Sequence, residues 1–258
     1  MSLPNRIMVE ITEMPKLKNP QLICGLPGSG YVGKLAVDHL IDELKGIQFA
    51  SIFSSSFPPQ VLIQPDGTAD LMKNTLYYCK GKSSDLVILS GDAQPVTPES
   101  EYEMAEEIAK ICEKLGVNTI YTLAAYITGT FTKTQRVYGT STSPDIVKEF
   151  SKYDVYPMNG GSITGMNGLI IGVGKRKNIT GVCLLGETSG YVVDAMASKA
   201  VLETLAKILN LKLDLTGISK KAQDTKQLVK TIEEQMGGRH SPESLPMQQP
   251  DKKLGYIS

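Results

Sequence analysis

The run Gly28-Ser29-Gly30-Tyr31-Val32-Gly33-Lys34 stands where two nucleotide-binding patterns overlap. Gly28, Gly30 and Gly33 read as G-x-G-x-x-G between a strand and a helix, the turn that brings a dinucleotide pyrophosphate to a helix N-terminus. The same residues read as a Walker A loop, Gly28-x4-Gly33-Lys34, whose next residue would be Ser or Thr to hold magnesium. That residue is Leu35. The dinucleotide pattern in turn needs an acid about twenty residues on to hold the ribose hydroxyls, and Phe49-Ala50-Ser51-Ile52-Phe53-Ser54 carries none. What remains is a glycine-rich strand-to-helix turn. Gly28, Gly30, Gly33 and Lys34 are its candidate anion-binding residues, and close helix-on-strand packing is the alternative use of its glycines. Two carboxylates follow other apolar runs: Asp92 after Ser90, and Glu187 within Gly186-Glu187-Thr188-Ser189-Gly190. Both fall at strand C-terminal ends, where open α/β sheets collect ligands. Glu187 therefore joins the candidate set as a base or hydroxyl-binding group, against the reading that each carboxylate pins a loop.

Other chemistries lack their parts. The chain has two histidines, His39 and His240, and neither stands in a His-x-x-x-His pair. His39 lies at the edge of an apolar helical stripe, where a satisfied, partly buried imidazole is expected. Cys24, Cys79, Cys112 and Cys183 are scattered among apolar residues without C-x-x-C spacing, so they read as buried reduced thiols and no zinc site is assigned. No G-x-S-x-G elbow offers a serine nucleophile. No catalytic residue, metal or cofactor is assigned. Lys+Arg and Asp+Glu balance at 27 each, Trp is absent and aromatics make up 6%. That leaves neither a basic footprint for nucleic acid or anionic lipid nor a base-stacking surface. No apolar run of membrane-spanning length and no basic-then-apolar leader is present, so a cytoplasmic protein without membrane or nucleic-acid partners is expected.

The elements that must position these residues alternate. Apolar strand runs cover Arg6 to Ile11, Gln21 to Leu26, Ile47 to Ser55, Leu86 to Ser90, Val117 to Ala125 and Val182 to Leu185. Asp66-Gly67 predicts a hairpin between Val61 to Gln64 and Ala69 to Cys79. The stripe Val32, Leu35, Ala36, Leu40, Leu44 predicts a helix over Tyr31 to Leu44. Thr97-Pro98-Glu99 supplies a cap, a first-turn proline and an acid for a helix that Gly116 ends. Further helices are predicted over Asp194 to Leu209 and Ala222 to Met236. Gly160 to Gly174 fits strand or helix equally. Such alternation predicts a three-layer α/β/α fold around a mixed, mostly parallel sheet. One domain is expected over 1–236. Beyond it, 237–258 reads as a flexible C-terminal tail, rich in proline and glutamine, with an apolar tip at Leu254-Gly255-Tyr256-Ile257-Ser258.

Four runs in order, Gly25-Leu-Pro-Gly-Ser-Gly-Tyr-Val-Gly-Lys-Leu-Ala, Gly91-Asp-Ala-Gln-Pro with Tyr102 in the next helix, Gly165-Met-Asn-Gly-Leu, and Cys183-Leu-Leu-Gly-Glu-Thr-Ser-Gly-Tyr, resemble the archaeal PAC2 family of proteasome assembly chaperone 2 homologues. The resemblance implies a phosphorylase- and peptidyl-tRNA-hydrolase-like α/β/α core without those enzymes' active site, and a helix over Gly165 to Lys177. It also implies a homo-oligomer that binds proteasome α subunits, and a C-terminal hydrophobic-Tyr-X motif entering pockets between those subunits. Here Tyr256 is third from the end and Ile257 takes the penultimate place, with the Ser258 carboxylate able to pair with a lysine. The partner-binding candidates are Tyr256, Ile257 and Ser258, with Leu228 and Ile232 on the last helix. The competing reading is a nucleotide-binding enzyme, an ATP-dependent ligase or a nucleoside-processing protein, built on the Gly28 to Gly33 loop.

Overall fold

The computed structural model describes residues 7–132, 134–237 and 256–257. Within them the chain runs β1 (Ile7–Ile11), β2 (Gln21–Gly25), α1 (Val32–Leu44), β3 (Ile47–Ser54), β4 (Val61–Ile63), β5 (Ala69–Leu71), β6 (Asn74–Cys79), β7 (Leu86–Gly91) and α2 (Pro98–Leu115). It continues through β8 (Thr119–Ile127), β9 (Val137–Ser141), α3 (Pro144–Glu149), β10 (Val155–Pro157), β11 (Ser162–Ile163), α4 (Met166–Arg176), β12 (Thr180–Thr188), α5 (Ala195–Leu209), α6 (Thr216–Gly237) and β13 (Tyr256–Ile257).

Nine of the described strands form one sheet in the order β1-β3-β6-β7-β2-β8-β12-β9-β10. The fold is α/β with a mixed sheet, as expected. Parallel pairing holds the centre, β7-β2-β8-β12. The β1-β3-β6-β7 side and the β12-β9 pair are antiparallel, and β10 returns parallel to β9. Antiparallel pairing thus takes a larger share than strand-helix alternation suggested, because β3, β6 and β7 follow one another without an intervening helix. Helices α2 and α4 cover one face around Leu89, Ile108 and Ile170; α1, α5 and α6 cover the other around Ile88, Leu123 and Val201.

The signals that set these elements are local. Thr97 caps α2 by accepting the Ser100 N–H at 3.4 Å, Pro98 takes its first position, and Gly116 ends it at φ 76°. Asp194 caps α5 by accepting the Ala197 N–H at 2.9 Å. The ambiguous 160–174 stretch holds the short strand β11 and then helix α4 from Met166, the helix that the resemblance implied. Helix α6 starts six residues earlier than its apolar stripe suggested, at Thr216.

Helix α1 approaches the sheet backbone to backbone. A Cβ placed on Gly33 would lie 2.0 Å from the Leu123 carbonyl oxygen, and one on Gly25 would lie 2.2 Å from the Gly33 carbonyl oxygen. Neither neighbour is a side chain that can turn away. Gly33→Ala is therefore expected to cost about 3 kcal/mol or more, whereas Gly172→Ala, with open space around its Cβ inside α4, is expected to gain up to about 1 kcal/mol. Urea unfolding of the two variants checks the contrast.

Candidate functional site

Strands β2, β3, β7, β8 and β12 all end at one edge of the sheet, so the connections 26–31, 55–60, 92–97, 128–136 and 189–194 gather there. Such an edge is the expected ligand site of an α/β sheet. Here its polar groups are engaged with one another. Lys34, on the first turn of α1, holds Asp38 at 2.6 Å and Ser90 Oγ at 3.2 Å, and Ser90 in turn donates to Asp38 at 2.6 Å. The ammonium a phosphate would need is already neutralised. Gly30 stands at φ 62° against the buried end of β12: its carbonyl accepts the Asp194 N–H at 2.8 Å, and Thr188 donates to Asp194 at 2.7 Å. A buried carboxylate beside the turn opposes an anion there.

Gln94 closes the other side. Its amide nitrogen donates to the Pro27 carbonyl at 2.6 Å, and its amide oxygen accepts the Met166 N–H at 2.8 Å. One side chain thereby ties the glycine turn to the N-terminus of α4 and occupies a backbone donor that an anion would otherwise use. A Cβ on Gly28 would lie 3.8 Å from the amide nitrogen, and one on Gly165 only 2.6 Å from the amide oxygen.

Glu187 belongs to strand β12 itself and is buried. It accepts the Arg136 backbone N–H at 3.3 Å, while its own N–H donates to the Arg136 carbonyl at 2.9 Å. Strand alternation sets Glu187 with Cys183 and Leu185 on the α2/α4 face, and Thr188 with Gly30 and α1 on the other. The sheet therefore separates Glu187 from the glycine turn and from Lys34. Asp92 accepts the Lys73 N–H at 3.0 Å and closes the β6–β7 corner. His39 is half-buried, its Nε2 2.8 Å from the Asp214 carbonyl, which fastens α1 to the approach to α6.

The partner-binding candidates lie elsewhere. Leu228 on α6 is 49% exposed, while Ile218, Ala222 and Thr225 of that helix face inward. Ile232 falls on α6 outside the described side chains, and Ser258 outside the described residues. Tyr256–Ile257 form β13, which pairs in parallel with β11, Tyr256 opposite Ser162 and Ile257 opposite Ile163. Between α6 and the 131–135 and 189–196 segments lies a cavity of 740 Å³, lined by Phe131, Met196, Val229 and several polar side chains.

The PAC2 family model matches residues 22–233, from the first central strand into α6. The chain belongs to the PAC2 family. It is similar to the crystal structure of Pyrococcus furiosus PbaB, an archaeal proteasome activator, at 36% identity and TM-score 0.83, covering 88% of this chain and 99% of that one. The Pyrococcus furiosus PbaA structure, an archaeal homolog of proteasome-assembly chaperone, follows at 30% identity and TM-score 0.73, with 89% and 93% covered. An uncharacterized protein of Methanocaldococcus jannaschii, MJ1210, is 38% identical over 224 residues, 86% of each chain.

In this PAC2 chain the organising side chains are Gln94 and Ser90, which sequence patterns did not single out, and Asp194, which they marked only as a helix start. Gln94 lay inside the Gly91-Asp-Ala-Gln-Pro run, but its two partners are 67 and 72 residues away. The same edge is apolar on its outside: Tyr31, Val96, Tyr191 and Val193 are all exposed. Among the described residues no cluster of His, Cys, Asp or Glu suits a metal, and no helix is long and apolar enough to cross a membrane.

Thiol chemistry is suppressed by the core. Burial pushes Cys112 and Cys183 up to about 12, and burial raises Cys24 as well. In the unfolded chain these thiols ionise near ~8.5. Each buried thiol thus keeps its proton when the unfolded chain has lost its own. Its stabilisation is full below that value and falls by about 1.4 kcal/mol per pH unit as pH rises from ~9 towards 12. Urea unfolding at pH 9 and 10.5 is expected to show a shallower fall in Cys112→Ala than in the parent chain.

Proposed function

We propose that this protein is a non-enzymatic proteasome assembly chaperone or adaptor that acts in the cytoplasm as a homo-oligomer and binds proteasome α subunits. The observation that carries the reading is the likeness to PbaB along nearly that protein's whole length. The interior of the sheet edge supports it: a site that processed nucleotides would present free cationic and donor groups, and here Lys34, Gln94 and Thr188 are bound to neighbours of the same chain.

Residues 1–236 act as one domain, and 237–258 act as its arm. The tip Tyr256-Ile257-Ser258 is the contact for the α subunits, with Leu228 and Ile232 of α6 beside it. The 18 residues between α6 and Tyr256 reach at most about 60 Å when extended. To enter a partner's pocket the tip must first leave β11, which uses the same two residues. Tails of neighbouring protomers then act together, the effective concentration raising avidity by about 10²-fold or more.

Removing Leu254–Ser258 is expected to weaken capture of an archaeal 20S particle by at least ~10²-fold, measured by surface plasmon resonance. Unchanged affinity would remove the tail from the mechanism. A thermal-shift series with ATP, NAD and nucleosides tests the enzyme reading on the same preparation. A ligand at 100 times its Kd would add about 2.7 kcal/mol, and flat melting curves are expected.

A further inference from the structure

Between β3 and β6 the chain makes a hairpin whose amphipathic pattern is inverted. Strand β4 pairs antiparallel with β5, with Val61 opposite Leu71, Leu62 opposite Asp70 and Ile63 opposite Ala69. Directly opposite residues share a face, as do alternate residues along a strand. Val61, Ile63, Ala69 and Leu71 therefore form one face. Leu62 lies on the other and packs on the core beside α2. In an antiparallel ribbon resting on a core, the outward face is normally the polar one. Here it is wholly apolar, with Val61 50%, Ile63 70% and Leu71 64% exposed. A two-stranded ribbon has little stability of its own, and an apolar face of this kind marks an interaction site.

We infer that this face is the contact through which copies of the chain associate, an inference that rests on the homo-oligomer reading above and locates its interface. Charge favours a second copy as the occupant. The run from Phe53 to Met72 contains no Lys or Arg, so the face lacks the cations that would hold an anionic lipid surface or an acidic peptide. Its two acids lie off this face: Asp70 is exposed on the Leu62 side of the ribbon, and Asp66 is engaged in the turn, accepting the Thr68 N–H at 3.0 Å and the Thr68 hydroxyl at 2.7 Å. Two such faces can meet about a two-fold axis without opposing like charges.

The surface also continues beyond the hairpin. Four side chains fall short of the ~20 to 30 residues per partner in a standard interface. Beside them a groove of 490 Å³ runs along Phe53, Pro58, Pro59 and Met72 and shares Val61 and Leu71 with the ribbon. Ser54, Ser55 and Gln60 also line the groove, so ribbon and groove together give a mainly apolar, uncharged strip, which a partner's ribbon can cover.

Sedimentation velocity of the full chain tests the inference, comparing the parent with Ile63→Asp and with Ile47→Asp, which is similarly exposed at the opposite end of β3. The parent is expected to sediment as an oligomer, Ile63→Asp to associate at least ~100-fold more weakly, and Ile47→Asp to match the parent. A melting scan shows whether Ile63→Asp remains folded. If it does not, Ile63→Cys with a short bis-maleimide replaces it, and cross-linked dimers are expected. An oligomeric parent with an unaltered Ile63→Asp, or without cross-linking, overturns the hairpin interface and leaves the homo-oligomer reading standing. A monomeric parent overturns both. A monomeric parent whose Ile63→Asp variant loses proteasome binding assigns the face to a client and likewise overturns self-association.

Discussion

Helix α1 lies on β2 and β8 so closely that carbonyl oxygens of the sheet and of the helix's own first turn occupy the space of two missing Cβ atoms, at Gly25 and Gly33. This contact fixes the height and direction in which α1 leaves the sheet. From it follow the ion pair of Lys34 with Asp38 under Ser90, the seat of Gly30 against Thr188 and Asp194, and the packing of α1 on α5. The glycines resemble a phosphate-binding pattern because phosphate loops need the same property, a backbone without side chains at a strand-to-helix turn. In this chain that freedom serves packing of peptide against peptide.

The edge above this contact is polar inside and apolar outside. Gln94 spans two segments that would otherwise flank an open cleft, and buried carboxylates sit where an anion would want positive potential. Ser90, Gln94, Glu187, Thr188 and Asp194 each have a partner from the same chain, so the edge gains rigidity while offering few convergent donors to a small molecule. The outward Tyr31, Val96, Tyr191 and Val193 suit the area-based, weakly directional adhesion of protein surfaces.

Much of the fold was legible because its signals are local. The Thr97 cap and Gly116 stop bound α2, Asp66-Gly67 turns the hairpin, and Asp194 starts α5. Helix α4 was not legible from periodicity, since Leu169, Ile170 and Ile171 are consecutive and apolar and fit either period. Strands β9 and β10 were missed: Val137-Tyr-Gly-Thr-Ser carries two polar residues and a glycine, and its pairing partner β12 is supplied from forty residues further on. Glu187 read as a loop residue because Gly186 and Gly190 flank it, whereas its burial depends on the Arg136 backbone across the β12–β9 pair. Lys34 and Asp38 could be matched from their spacing, but Ser90 and Gln94 act over separations no local pattern encodes.

Strand β12 enters the sheet between β8 and β9, which are neighbours in sequence but not in space. During synthesis, β8 and β9 emerge before the strand that must join them, and some sixty residues pass between Ile127 and Thr188. Ribosomes add roughly 5 to 20 residues each second. For several seconds the half-built sheet therefore carries a bare edge at β8, open to pairing with any extended chain nearby. The sheet thus passes through its most adhesive moment while the chain is still attached to the ribosome.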